Sequence, residues 1–415
     1  MMTRREFSKS VLAGGAALLS SENPLSAGTP QAPAEKFDLL IKGGTVVDPG
    51  QKLHAPMDIA VTGGKIVELS KDIPENRARQ VFPAKNRIVT PGFIDLHVHC
   101  YYGVSDEINA DHSCLTKGTT TVLDAGSNGY VMMRRFVMDI VNTSITRVYA
   151  LIALAGAGYA TGLPIVHEHL DLEDPQLTIQ AVRNNRPTVV GIKVHLSQSR
   201  STRPKDLELG FVKRGIEIAE ATRLPMMVHI NGTFNRLPVI LKMLRKGDVN
   251  THCFSGYEQD SPLDANGKVL PEVWDARQRG VIFDVAEGPT HPHISFEVAE
   301  KCIQQGFLPD TLSSDLNGDH QYDTDLTTTV SKFMALGVDL DKAIEMVTTK
   351  PAQAFNFGVS IGTLKPGSEA DIGIFELQDG RFEFKDGVKG KRTGRQKLTS
   401  KAVVCRGELF SNEIG

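Results

Sequence analysis

Cysteine is sparse in this chain and its pattern excludes a disulfide framework. Cys100, Cys114, Cys253, Cys302 and Cys405 are scattered over 415 residues and odd in number. An excess of charge of either sign is lacking as well: 46 Lys+Arg against 49 Asp+Glu leave a formal net charge of -3. With no basic patch or RNA-binding signature, nothing points to a nucleic-acid partner. No apolar run is long enough to cross a bilayer as a helix. No glycine-rich or basic loop of the kind that grips a phosphate is present either. What remains, 40% hydrophobic and 23% charged, is the composition of a soluble globular protein. The length allows a large core, as one barrel-type domain with or without a smaller companion.

The first residues read as a targeting signal. Thr3-Arg4-Arg5-Glu6-Phe7-Ser8-Lys9 resembles the twin-arginine export consensus, and an apolar run from Val11 to Leu19 follows it. Ser20 to Glu35 is rich in Ser, Pro, Ala and Gly and reads as cleavage region and linker, with Ala32-Pro33-Ala34 as one candidate site. Residues 1–35 are therefore expected to direct export to the periplasm or beyond, leaving a mature protein without a membrane span.

From Phe37 onward, short β-branched runs are punctuated by Gly43-Gly44, Pro49-Gly50 and Gly63-Gly64, which are expected to be tight turns. A similar texture returns in GTLKPGSEADIGIFEL and KAVVCRGELF. Residues 36–90 and 356–415 are accordingly expected to pair into a small β-sandwich domain. Between them, strand-like runs alternate with helical ones, the signature of βα units. Eight strands are predicted: Phe93 to His97, Thr119 to Asp124, Arg147 to Leu154, Val189 to Val194, Met226 to His229, Asn250 to Cys253, Val281 to Val285 and Thr311 to Asp315. The clearest helix is Asp206 to Arg223, where Leu207, Phe211, Ile218 and Ala219 recur at helical spacing. The fold class expected for residues 91–355 is thus α/β, a (β/α)8 TIM barrel whose chemistry lies on the loops after the strands.

The stretch PGFIDLHVHC, Pro91 to Cys100, organises the rest. Ile94, Leu96 and Val98 alternate with Asp95, His97 and His99, so the two histidines share one side of a strand and can grip one ion. Lys193 near the end of strand four, His229 ending strand five, His252 in strand six and Asp315 ending strand eight fall at the same end of their strands. Imidazole and carboxylate suit zinc and similar divalent ions. A lysine belongs in such a set only when uncharged, since burial and nearby cations depress its pKa. The neutral amine can then take up CO₂ and bridge two ions as a carbamate, an N6-carboxylysine.

With these residues the chain resembles the amidohydrolase superfamily of metal-dependent hydrolases. The HxH of PGFIDLHVH, Lys193, His229, His252, Asp315 and the late run KPAQAFNF…GTLKPGSEADI carry the resemblance, which covers the chain from Phe37. Within it, GFIDLHVH, KGTTTVLDAGSNG, GIKVHLS and LSSDLNG look most like the amidohydrolase/deacetylase branch related to dihydroorotases. Dihydroorotases carry a substrate-gripping arginine two residues past the HxH; here Cys100-Tyr101-Tyr102 follow. Mononuclear purine deaminases lack the strand-four lysine.

The resemblance implies two divalent metal ions, expected to be zinc: one held by His97, His99 and Asp315, the other by His229 and His252, with carboxylated Lys193 bridging. It further implies a metal-bridging hydroxide that attacks an acyl amide or ester of a small molecule such as an N-acyl amino acid. Asp315 would be the catalytic base and acid. Substrate contacts are sought at Asn128 beside Ser127, at His195, Ser197 and Arg200, at Tyr101 and Tyr102, at His291 and His293, and at Asn317 and His320. His112, His167 and His169 belong to no constellation and are expected at the surface. Cyclic amides of the dihydroorotase or hydantoinase kind are the alternative substrates, a non-catalytic scaffold is a further reading, and a homo-oligomer is compatible with all of these.

Overall fold

In a computed structural model the structure describes residues 36–104, 107–159, 170, 173–197, 205–289 and 291–411. The export signal, its linker, Arg200, His167 and His169 lie outside the described residues.

The first sheet begins with β1 (Phe37–Asp48), β2 (Leu53–Thr62), β3 (Lys65–Ser70), β4 (Ala78–Pro83) and β5 (Ile88–Pro91). The second consists of β6 (Phe93–Val98), β7 (Thr119–Ala125), β8 (Arg147–Ala153), β9 (Val189–Leu196), β10 (Met226–Ile230), β11 (Val249–Thr251) and β12 (Ile282–Asp284). The chain then returns to the first sheet through β13 (Ile372–Lys385), β14 (Lys391–Cys405) and β15 (Glu408–Ser411).

The terminal segments expected to pair do so, sharing one 8-stranded mixed ladder, β15-β14-β13-β5-β1-β2-β3, with β4 added on β1. The long β1 makes this continuity. Gly43-Gly44 is not the expected turn but a register shift inside β1, which stays paired with β2 on both sides of the break. Gly43 sits at φ +77°, a conformation glycine adopts without a Cβ clash. The kink lets the first half of β1 pair with β4 and its second half with β5.

The second sheet is parallel throughout, with β6 to β12 in chain order. Helices alternate with its strands, among them Pro175–Asn184, Lys205–Thr222, Pro271–Gln278 and Phe296–Gln304. Asp174 and Ser295 cap two of these by accepting backbone N–H bonds, as short oxygen-bearing side chains do at helix starts. This is the TIM-barrel type of architecture.

The expected eighth strand, Thr311 to Asp315, forms no regular strand. It is held by isolated parallel bridges, Thr311 to Asp284 of β12 and Leu316 to Val98 of β6. Asp315 has φ +56°, outside strand geometry, which breaks a continuous ladder there. A side chain substitutes for the missing bonds: buried Asp95 accepts the Ser314 backbone N–H at 3.1 Å and its hydroxyl at 2.6 Å. Burial pushes the Asp95 carboxyl up to about 7, against the pull of those Ser314 bonds. The two sheets meet where Phe93 stacks on Phe375, ring centroids 4.6 Å apart, a contact worth about 0.5–1.5 kcal/mol beyond the area it buries.

Candidate metal centre

The six residues singled out in the sequence come together at the C-terminal ends of the parallel strands. Lys193 Nζ lies 2.8 Å from His97 Nε2. Asp315 Oδ1 is 3.2 Å from the same His97 nitrogen and 3.5 Å from His99 Nε2. His252 Nε2 and His229 Nδ1 face each other at 2.9 Å, and the His97 and His252 rings are 5.2 Å apart. His252 and Asp315 both occupy the left-handed region, at φ +64° and +56°. Such backbone is costly for residues with a Cβ and gathers where function demands it. Gly126, at φ +89°, leaves room for the lysine: a Cβ there would sit 2.7 Å from Lys193 Cβ and Cγ.

Burial dominates the electrostatics. It drives the His97, His229 and His252 imidazoles well below their ordinary range, helped by neighbouring cationic groups. Burial likewise pushes the Lys193 amine down to about 7, although Asp315, Asp284 and Asp124 pull the other way. For Asp315 burial opposes ionisation, yet His97, His293 and His99 hold its carboxyl well below the usual range. The result is a buried anion, three imidazoles held neutral at His97, His229 and His252, and an amine that is readily uncharged. At His99 burial is outweighed by Asp315 and Glu107, which raise its pKa.

The hydrogen bonds behind the imidazoles were not legible in the sequence. His252 Nδ1 lies 2.8 Å from the Ala286 carbonyl, to which it can only donate, so its Nε2 carries a lone pair. His97 Nδ1 meets Thr251 Oγ1 at 2.9 Å, and His99 Nδ1 meets Ser127 Oγ at 3.1 Å. Those hydroxyls in turn donate to Asp284 and Glu107. Polar Thr251 and Asp284 at the C-terminal ends of two short buried strands were the available signal.

The candidates for substrate contact are placed unequally. His293 packs into the centre, its ring 4.1 Å from that of His252 and its Nδ1 2.8 Å from Asp315 Oδ2. His195 stacks on His229 at 4.0 Å. Asn128 is wholly buried, and neither polar atom of its side chain has a partner among the described residues. Asn317 turns back on its own loop, accepting from Asp319 N at 2.9 Å, and His320 Nε2 lies 2.8 Å from the Asp315 carbonyl. Tyr101 is buried, its ring edge-on to Phe136. Tyr102 is exposed, as is His112.

The donor set fits a divalent cation. His97, His252 and Asp315 each offer an atom within 4.8 Å of the others, and so do His229, His252 and His293. The lone pair argued for His252 Nε2 points into this space. Nitrogen and carboxylate donors of this kind suit first-row divalent metals. Among the described residues no helix is long and apolar enough to cross a membrane.

Imidazoles gathered around one carboxylate, at the strand ends of a TIM-barrel type sheet, make a group that could hold a divalent metal. Residues 292–408 match the amidohydrolase family. The chain is 30% identical over 391 residues to a deacetylase of Enterococcus faecalis, covering 91% of this chain and 100% of that relative. Among solved structures it is similar to an adenine deaminase, with a TM-score of 0.83, 30% identity and coverage of 91% and 100%. It is also similar to a dihydroorotase, with a TM-score of 0.80, 26% identity and coverage of 90% and 99%. The chain belongs to the amidohydrolase superfamily and is a hydrolytic enzyme acting on carbon–nitrogen bonds.

Proposed function

We propose that this enzyme, built on a closed (β/α)8 barrel, removes an acyl group from a small N-acyl or O-acyl compound such as an N-acyl amino acid. The observation that carries the reading is Lys193, wholly buried, its amine near neutrality and 2.8 Å from His97, with Asp315 on the same imidazole. A buried lysine among metal-type ligands makes chemical sense as a carbamate. His97, His99 and Asp315 would hold one ion, His229 and His252 a second, and carboxylated Lys193 would join them; zinc suits the set. When bound, the ions supply Lewis acidity and lower the pKa of water toward about 7. Asp315 Oδ1, on the side of His97 and His99, accepts the proton of the attacking water and delivers it to the leaving nitrogen or oxygen. Asn128 offers substrate one donor and one acceptor, since a buried amide without partners is otherwise costly. The products are a carboxylate and an amine or alcohol.

The likeness to the Enterococcus faecalis deacetylase supports acyl cleavage, and so does Cys100-Tyr101-Tyr102 in place of the arginine of dihydroorotases. Two further readings have support in the likenesses to a dihydroorotase and to an adenine deaminase: a cyclic amide substrate, and deamination. The zinc-loaded enzyme offered N-acetyl amino acids, acetyl esters, dihydroorotate, hydantoin and adenine separates all three. Acetate release is expected; turnover confined to the cyclic ureides, or ammonia from adenine alone, overturns the proposal. On the Arg4-Arg5 motif we also place the enzyme outside the cytoplasm, which fractionation of cells making the full chain checks.

A further inference from the structure

We infer that Thr251 with Asp284, and Ser127 with Glu107, are positioning residues that fix which nitrogen of His97 and of His99 faces the metal site. The inference rests on the metal-centre reading above and adds the device that orients its first two ligands.

A threonine hydroxyl has one proton to give. Thr251 donates it to Asp284 Oδ2 at 2.8 Å. Asp284 is fully buried and also accepts the hydroxyls of Thr311 at 2.7 Å and Ser313 at 2.7 Å. A carboxylate ringed by three hydroxyls is the acceptor for all of them. Toward His97, Thr251 Oγ1 can then only accept, so His97 Nδ1, 2.9 Å away, carries the proton. A neutral imidazole has a single N–H. His97 Nε2 is therefore left with its lone pair, and that atom faces Lys193 Nζ and Asp315 Oδ1.

The second unit repeats the logic with different parts. Ser127 is fully buried, is anchored through its backbone N–H to Asp124 at 2.8 Å, and donates its hydroxyl to Glu107 Oε2 at 2.8 Å. It is left to accept from His99 Nδ1 at 3.1 Å, which turns His99 Nε2 toward Asp315. Each imidazole of the HxH pair is thus tied through a hydroxyl to its own carboxylate: His97 to Asp284, on a strand end far away in sequence, and His99 to Glu107, on the stretch that follows the HxH strand. Outer partners of this kind orient metal-binding histidines, and their loss weakens metal affinity by about 10–100-fold.

The test uses Zn²⁺ as the probe, with affinity measured by chelator competition on the full chain. Thr251→Val and Ser127→Ala are expected to bind Zn²⁺ about 10–100-fold more weakly than wild type. The melting temperature of the metal-free protein should stay near wild type, and Thr251→Ser should restore affinity. In ¹⁵N-histidine spectra of the metal-free protein, His97 should be protonated on Nδ1 in wild type and Thr251→Ser, and shift toward Nε2 protonation in Thr251→Val. Wild-type Zn²⁺ affinity in the valine variant, with an unchanged His97 tautomer, overturns the inference. Should Thr251→Val fail to fold, Ser127→Ala decides through the same two readouts at His99. If wild type itself binds no Zn²⁺, the metal reading fails, while the tautomer in the metal-free protein still decides this one.

Discussion

His293 Nδ1 lies 2.8 Å from Asp315 Oδ2, while Oδ1 of the same carboxylate faces His97 and His99. The two oxygens are thus divided between a metal-facing side and a histidine-facing side. The His293 nitrogen is within contact distance although it is not aligned as a formed hydrogen bond, and catalytic contacts of this kind often tighten when substrate arrives. Asp315→Asn, which keeps the shape but cannot take a proton, is expected to lower kcat by about 10²–10⁴-fold. His293→Phe keeps a ring beside His252 and should cost roughly tenfold, equivalent to about 1.4 kcal/mol. Steady-state kinetics on the zinc-loaded enzyme checks both; a His293→Phe enzyme slower than Asp315→Asn would contradict this division of labour.

Lys193 makes loading depend on pH. Its amine, lowered to about 7 by burial, is protonated below that value and neutral above it. Only the neutral form takes up CO₂, so zinc uptake by metal-free protein in bicarbonate should rise through about pH 7 and fall sharply in CO₂-free buffer. Stability follows the same proton. Between about 7 and the ordinary lysine range the unfolded chain holds a proton that the folded chain has released, so stability grows with pH there. Lys193→Met removes this dependence. The deficit of metal-free wild type against that variant should shrink by up to about 1.4 kcal/mol per pH unit in urea titrations above pH 7. A pH-independent deficit would show that the amine does not titrate in that window.

Gly288 guards the space between the two partners just described. At φ +39° its missing Cβ would lie 2.2 Å from His293 Nδ1 and 2.6 Å from Asp315 Oδ2. Gly288→Ala must displace one of them and also strain the backbone, a cost of about 1–3 kcal/mol. The expected outcome is a lower melting temperature together with a fall in kcat at least as large as that of His293→Phe. Unchanged kinetics would mean that the His293–Asp315 contact is dispensable.

How much of this was legible beforehand depended on whether the cause was local. The HxH strand could be read because alternation of Ile94, Leu96 and Val98 with Asp95, His97 and His99 is a period-two pattern within six residues, and β6 forms there. The helix expected over Asp206 to Arg223 is observed as Lys205–Thr222 for the same reason. The segment before Asp315 read as a strand, but its last residue takes a left-handed turn and its anchor, Asp95, lies 219 residues away. Gly43-Gly44 looked like a turn because glycine pairs usually are; pairing of β1 with β2 across the break is a property of the sheet. The pairing of Thr251 with Asp284 has no local signature, because 33 residues separate them and neither belongs to a motif alone.

Arg147 joins the two sheets and offers a test of how far they depend on each other. It starts β8, donates from Nε to Asp371 Oδ2 at 2.8 Å, and pairs through Nη2 with Glu369. Both carboxylates precede β13, and all three side chains are largely shielded, at 12%, 2% and 14% exposure. Removing Arg147 leaves buried Asp371 without a cationic partner, while Glu369 keeps Lys65; stranding a buried charge typically costs about 3–5 kcal/mol. Arg147→Met should therefore lower the unfolding midpoint far more than loss of an exposed pair such as Lys391–Glu383. Because the penalty comes chiefly from the stranded Asp371 carboxylate, the further change Asp371→Leu should recover part of it by removing that charge. If Arg147→Met unfolds at the wild-type midpoint, the cluster adds nothing to the join, and the Phe93–Phe375 stack with its surrounding apolar contacts must hold the two sheets together.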